Sequence, residues 1–266
     1  MLTFLIPVRH HQTVSDWTRV VAQMRTTISS ISAQDNAAWN AIIIANEGAE
    51  LPELPSRFEV VRVDFPPNKL SRTGPIEEFY SAVRRDKGGR LLAGLKHAPK
   101  DGHLMVVDYD DMISCRLAGL VADQPSSTGW YLDKGYLFSG GNELFLYDWM
   151  FHKFCGTSHI VKTSTFAPLF ENEPADDHLV SRWLGSHIYI KDDLDSTATP
   201  LLPLPFVGAV YRVGHPHATS GSRSLREFIK AQNHGDSSGI SLRMAKLKTL
   251  TQDQANEFFC GNTEPL

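Results

Sequence analysis

At 266 residues with 42% hydrophobic content, the chain can bury a substantial core and fits one large α/β domain, or one domain with a small appendage. A formal charge of -4 and a pI near 6.2 argue against a protein that binds nucleic acid or other polyanions by charge alone. Cys115, Cys155 and Cys260 are too few and too scattered for a disulfide framework or a zinc knuckle, so reduced thiols and a cytoplasmic setting are expected.

Leu2 to Val8 reads as a first strand, Val14 to Gln34 as a helix, Ala41 to Ala45 as a second strand and Phe58 to Val63 as a third. Asn46-Glu47-Gly48 closes the second strand in turn chemistry. Arg85 to Ala98 reads as a helix, after which the chain re-enters the sheet at Leu104 to Val107. Strands alternating with helices are the pattern of a parallel sheet with covering helices.

Past Ser114 the pattern loosens, with glycine, aromatic and polar residues mixed from Gly129 to Gly156 in short strands and loops of undetermined order. A helix is expected from Asp176 to Leu184, capped or opened by Asp176 or Asp177. The proline-rich stretch from Thr197 to Phe206 is a connector, Val207 to Val213 a last strand, and Leu242 to Leu250 a terminal helix with a frayed end beyond it. Since spanning a bilayer takes roughly 20 apolar residues, no integral membrane segment is expected. Met1 leads straight into the strand-like Leu2 to Ile6, so no secretion signal is expected either, and any membrane contact would be peripheral, at the inner face.

The densest chemistry lies at His103 to Asp111, where an apolar run opens onto three carboxylates, Asp108, Asp110 and Asp111, within four residues. Acids crowded at the carboxyl end of a strand repel one another unless a cation sits between them, which makes a metal site one reading and an acidic turn the other. Open α/β sheets place ligands at that end.

Several ordered pieces resemble the GT-A-fold nucleotide-sugar glycosyltransferases of the inverting family-two type, over about residues 2–220. Phe4-Leu5-Ile6-Pro7-Val8-Arg9 looks like the family's first strand, and Ile28 to Gln34, five residues before Trp39, like its first helix end. Ile43-Ile44-Ala45-Asn46-Glu47-Gly48 looks like the family's Ile-Val-Val-Asp-Asp-Gly, and Val107-Asp108-Tyr109-Asp110-Asp111 like its Leu-Asp-Ala-Asp-Asp, the DXD signature. Asn46 and Glu47 depart from the usual aspartate pair, although an amide can still read a uracil edge. Ala175-Asp176-Asp177-His178-Leu179-Val180-Ser181-Arg182 approximates the base motif, with the family aspartate falling on Asp176 or Asp177 according to how it is counted.

The resemblance implies a single GT-A domain, a Rossmann-like nucleotide-binding mixed sheet with covering helices, over 1–220. Its nucleotide-sugar half would be about 1–114 and its acceptor half about 115–220, followed by a C-terminal helical extension over 221–266. It implies a metal-dependent, hexosyltransferase-like enzyme that moves a sugar from a UDP- or GDP-linked donor to a hydroxyl of a glycan or small-molecule acceptor, with inversion. A noncatalytic sugar-nucleotide-binding protein on the same scaffold is the alternative. A nucleotidyltransferase would need a glycine-rich basic loop after the first strand, which Pro7-Val8-Arg9-His10-His11 is not.

A leaving diphosphate needs charge neutralisation, which a divalent cation held by carboxylates supplies. Asp110 is the expected ligand, with Asp108 reaching the ribose or a metal-bound water on the same side of the turn. Asp111 is expected to cap a helix. Oxygen ligands suit Mn2+ or Mg2+. Asp176 or Asp177 would take the acceptor proton, and the alternative for both is an ordinary helix cap.

His215 and His217 could complete the metal site or contact diphosphate, against the alternative of surface histidines in a Pro/Gly loop. Pro7, Val8, Arg9, Asn46 and Glu47 would line the nucleotide. In Arg84-Arg85-Asp86-Lys87-Gly88-Gly89-Arg90, Lys87 or Arg90 could pair with phosphate, or the cluster could be a solvated helix face. Trp130, Tyr131, Lys134 and Tyr136, followed by Cys155-Gly156-Thr157-Ser158, would form the acceptor side, unless the aromatics are core.

Overall fold

The computed structural model describes residues 1–70, 73–171, 174–214, 224–231 and 246–262. It contains two mixed sheets with helices packed on them. The first sheet is built outward from β1 (Leu2–Pro7), which is buried at every position. β1 pairs in parallel with β2 (Trp39–Asn46) on one side and β4 (His103–Val106) on the other, and β3 (Phe58–Val63) extends the β2 edge.

Beyond β4, the antiparallel β9 (His159–Lys162) links to β6 (Gly129–Tyr131) and then to the two-residue β10 (Leu202–Pro203), completing the order β10-β6-β9-β4-β1-β2-β3. The second sheet, ordered β12-β8-β7-β11-β5, joins Leu247–Thr249, Glu143–Tyr147, Gly135–Phe138, Ala209–Arg212 and Met112–Ile113.

Period-two alternation divides the central strands between two cores. Phe4, Ile6, Ile43 and Met105 face a core built with Val20, Met24, Ile28 and Ile31 of α1 (Trp17–Ser32). Leu5, Ile42, Ile44 and Leu104 face the opposite core with Leu91 and Leu95 of α2 (Ile76–Leu95) and Val180 of α5 (Asp177–Trp183). Such burial contributes roughly 1.5–3 kcal/mol per large aliphatic side chain. Between α2 and α5 in the chain lie α3 (Leu117–Asp123) and α4 (Phe151–Phe154), and α6 (Ile190–Asp195) and α7 (Leu225–Ala231) follow.

Helix α1 is shorter at both ends than its apolar spacing suggests. Asp16 caps it by accepting the Arg19 N–H at 3.1 Å, so residues 14–16 remain outside. Helix α2 begins at Ile76, nine residues before the expected Arg85, and stops at Leu95 rather than Ala98. Its first turns carry an exposed Ile76, Glu77 and Glu78 and no regular apolar stripe, so its start is set by Pro75 and by tertiary packing.

The C-terminal expectation is corrected as well. Leu247–Thr249 is a strand antiparallel to β8, not part of a helix. The helix follows it: α8 (Gln252–Phe259) opens with a capping box between Thr251 and Gln254. Phe258 and Phe259 of α8 pack with Met112, Phe138, Leu144 and Val210 of the second sheet. Among the described residues no helix is long and apolar enough to cross a membrane.

Candidate active site

The parallel register of β2, β1 and β4 brings three chain turns to one edge of the sheet. Leu5 pairs with both Ile42 and Val106. Val8 N then donates to Ile44 O at 2.9 Å and Val107 N to Leu5 O at 2.9 Å, so Arg9, Asn46 and Asp108 leave the sheet side by side at its carboxyl end.

The three acids differ sharply in setting. Asp108 and Asp110 are partly exposed, whereas Asp111 is fully buried. Asp111 does not cap a helix as expected, because β5 follows it directly. Its Oδ2 instead accepts from Thr157 Oγ1 at 2.6 Å and its Oδ1 from the Arg212 backbone N–H at 3.0 Å. Burial, with Asp110 and Asp108 nearby, pushes its carboxyl well above the usual range.

Asp108 receives Lys87 Nζ at 2.5 Å, from the middle of α2. Burial works against the lysine charge, but the Asp108 carboxylate outweighs it and holds the ammonium above its ordinary range. Gly156 passes over this pair so closely that a Cβ there would collide with Asp108 Oδ2 and come 2.9 Å from Lys87 Nζ. His187, on the same side, hydrogen-bonds Lys153 O at 3.2 Å, and burial with Lys87 nearby lowers it to about 4.

Beside these acids, at the ends of β1 and β2, lies a set of buried polar atoms without partners. Asn46 Nδ2 donates to Phe65 O at 2.8 Å, which leaves Asn46 Oδ1 as an unmatched acceptor. Arg90 is 1% exposed; its Nε and Nη2 each bond Asp86 at 2.9 Å, its plane lies over Phe65, and its Nη1 is unmatched. Arg9 lies at the Tyr109 hydroxyl, with its Nε also unmatched. Burying such atoms without partners costs about 1–3 kcal/mol each, a cost that a ligand supplying the missing partners would offset. Pro7 and Val8 are buried, Val8 in the core shared with α1, and Glu47 is exposed.

The carboxylate pair heading α5 is divided in role. Asp176 is the cap, with Oδ1 accepting from His178 N at 2.8 Å and Leu179 N at 3.3 Å. Asp177 is exposed in the first turn and, among the described residues, its side chain makes no hydrogen bond or ion pair. Helix α5 is seated on α2 through glycines: a Cβ on Gly88 would come 3.0 Å from Val180 O, and one on Gly185 would collide with Arg84 O.

Of the aromatics expected on the acceptor side, Trp130 is core against His103, and the Tyr136 hydroxyl accepts from Gln254 of α8 at 2.9 Å. Tyr131 lies under the Lys191 ammonium, and Lys134 is exposed. His215 and His217 lie outside the described residues. Thr157, expected with Cys155 to Ser158 on the acceptor side, instead bonds the acidic turn at Asp108 and Asp111. His187 was not singled out from the sequence, and Asp86, four residues before Arg90, carried a readable signal as an i,i+4 ion pair.

No protein-family model matches the chain. No curated protein matches it either. Among solved structures it is similar to S. aureus TarS 1–349, at 13% identity over 96% of this chain and 67% of that one, with a TM-score of 0.45. A longer structure of S. aureus TarS aligns at 14% identity over 86% of this chain and 38% of that one, with a TM-score of 0.47. Rv0371c from Mycobacterium tuberculosis H37Rv aligns at 8% identity over 82% and 91% of the two chains, with a TM-score of 0.39. A structure of Rv0371c in complex with manganese aligns at 10% identity over 79% and 90%, with a TM-score of 0.36. Likeness at this level does not define an activity.

Proposed function

We propose that this protein is a metal-dependent GT-A-type glycosyltransferase that uses a UDP- or GDP-linked sugar and transfers it with inversion to a hydroxyl of a glycan or small molecule. The carrying observation is one end of one sheet, where the acidic turn Asp108–Asp110 after β4 and the unmatched Asn46 Oδ1 at the end of β2 flank β1, with Arg90, its Nη1 unmatched, lying over the Phe65 whose carbonyl accepts from Asn46. An acceptor and a donor atom there suit a nucleobase edge that offers a ring N–H next to a carbonyl, as uracil and guanine both do.

The residues fit a divalent cation of the hard type. Mg2+ or Mn2+ is commonly bound through one or two carboxylates plus substrate phosphates rather than by a closed protein cage. Asp110 and Asp108 would supply the carboxylates, and among the described residues no group of three or more His, Cys, Asp or Glu forms a closed metal site. When bound, the cation would offset charge growing on the leaving diphosphate. Lys87 is placed to exchange its bond to Asp108 for one to a phosphate oxygen.

In the transfer step the acceptor oxygen attacks the anomeric carbon, the bond from that carbon to the diphosphate oxygen breaks, and the acceptor proton passes to a carboxylate. Asp177 would take that proton, because the Asp176 carboxylate is committed to the helix cap. A test is thermal-shift binding of UDP, GDP and their sugar conjugates, each with and without Mn2+, followed by turnover with the nucleotide that binds. Manganese-dependent stabilisation by one nucleotide is expected. Donor binding without transfer or hydrolysis would favour the noncatalytic binder, and no shift with any nucleotide would overturn the nucleotide-sugar reading.

A further inference from the structure

The loop from Cys155 to Ser158 holds Asp108 from two sides. Above the carboxylate, the bare backbone of Gly156 leaves room for Asp108 Oδ2 and Lys87 Nζ. On the other side, the Asp108 N–H donates to Thr157 Oγ1 at 2.9 Å, and the same hydroxyl donates to Asp111 Oδ2 at 2.6 Å. The ring closes when Asp111 N donates to Asp108 O at 3.0 Å. Thr157 and Asp111 are both 0% exposed, so neither bond has a competing solvent partner.

The loop is itself fixed at both ends. Leu132 N donates to Ser158 O at 2.9 Å, and Cys155 N to Phe151 O at 2.9 Å. Asp111 carries the same network to the second sheet through the Arg212 N–H at 3.0 Å. One hydroxyl thus joins the backbone before Tyr109 to the side chain after Asp110. It brackets the two residues whose direction decides where the acids of the turn point.

We infer that Thr157 is a positioning residue: through its hydroxyl it sets the aim of Asp108 and Asp110 toward the cation, without touching cation or substrate. This rests on the metal-dependent reading above. Removal of groups that orient metal ligands typically weakens metal binding about 10–100-fold. Threonine to valine keeps the shape and removes both hydrogen bonds, whereas threonine to serine keeps the hydroxyl.

The test is Mn2+ affinity in the presence of UDP or GDP, read by the EPR signal of free against bound Mn2+, for wild type, T157V, T157S and D110A. Expected are binding in wild type, a loss of about 10–100-fold in T157V, recovery to within a few-fold in T157S, and a changed line shape for the Mn2+ that T157V still binds. Equal affinity in wild type and T157V overturns the inference, as does an equal loss in T157V and T157S, because the hydroxyl would then not be the cause. If T157V does not fold, T157A takes its place; failure of both to fold while T157S folds assigns Thr157 to the fold alone and also overturns it. Absence of Mn2+ binding in wild type is a separate result, which sinks the metal-dependent reading and the inference with it.

Discussion

Lys87 Nζ and Asp108 Oδ1 are 2.5 Å apart, with side chains 23% and 27% exposed, so the first acid of the turn is held by a cation from the middle of α2. Such a pair lies between a surface ion pair, worth less than about 1 kcal/mol, and a buried one, where removing one partner costs about 3–5 kcal/mol. Lys87→Met is therefore expected to lower stability by roughly 1–3 kcal/mol. Because the folded lysine holds its proton above the ordinary value, its contribution is full below about pH 10.4 and is lost only as pH rises past that value. Denaturant unfolding of both proteins between neutral and strongly alkaline pH checks this; a difference already gone at pH 9 would contradict it.

His103, His152, His159 and His187 are all held below the ordinary histidine range, first by burial. Between about pH 6.5 and the folded values, about 4 for His187, the unfolded chain binds protons that the folded chain does not. Stability is therefore lost on acidification, at up to about 1.4 kcal/mol per pH unit for each group. His187→Gln should show a shallower fall in Tm from pH 7 to pH 5 than wild type, and equal slopes would show that His187 takes up its proton as readily in the folded chain as in the unfolded one.

The two carboxylates of α5 separate by measurement. Asp176→Ala removes a cap and should cost about 1 kcal/mol of stability. Asp177→Asn is expected to leave Tm and donor binding near wild type while abolishing most turnover. Retained activity in Asp177→Asn with loss in Asp176→Asn would move the base role to Asp176.

Asp110→Ala should keep the fold, since the buried bonds of Asp111 to Thr157 and to the Arg212 backbone are left in place. Loss of a metal worth several kcal/mol to the transition state corresponds to about 100-fold or more in turnover. Nucleotide stabilisation should lose its dependence on Mn2+, and a manganese-dependent shift preserved in this variant would exclude Asp110 as a ligand.

Strand β2 was legible because an apolar run between turn residues admits few other readings, and β3, whose Phe58-Glu59-Val60-Val61-Arg62-Val63 mixes branched apolar residues with charges, was read over the same residues, Phe58–Val63. Of the second sheet only β11 was read, within Val207–Val213, because its strands are two to five residues long and, apart from the neighbours β7 and β8, their partners lie far apart in the chain. The start of helix α2 was missed because its first turns carry exposed Ile76, Glu77 and Glu78 and no regular apolar stripe; Gly88, inside the helix, is there for the passage of α5, about ninety residues later. At the site, the crowding of Asp108, Asp110 and Asp111 was visible, but not their division of labour. Asp111 is set apart by Thr157 and Arg212, 46 and 101 residues away, and no local pattern encodes those contacts.

Helices α2 and α5 meet through main chain at Gly88 and Gly185. A seam made of side chains can drift, as a smaller residue on one helix is offset by a larger one on the other, but here neither glycine has anything to give up. The separation between the helix that bears Lys87 and the helix headed by Asp176 and Asp177 is therefore gauged by the radii of backbone atoms. No ordinary substitution can shorten that gauge and every one at these two positions lengthens it, so the tolerances of the site are written partly in residues that carry no chemistry.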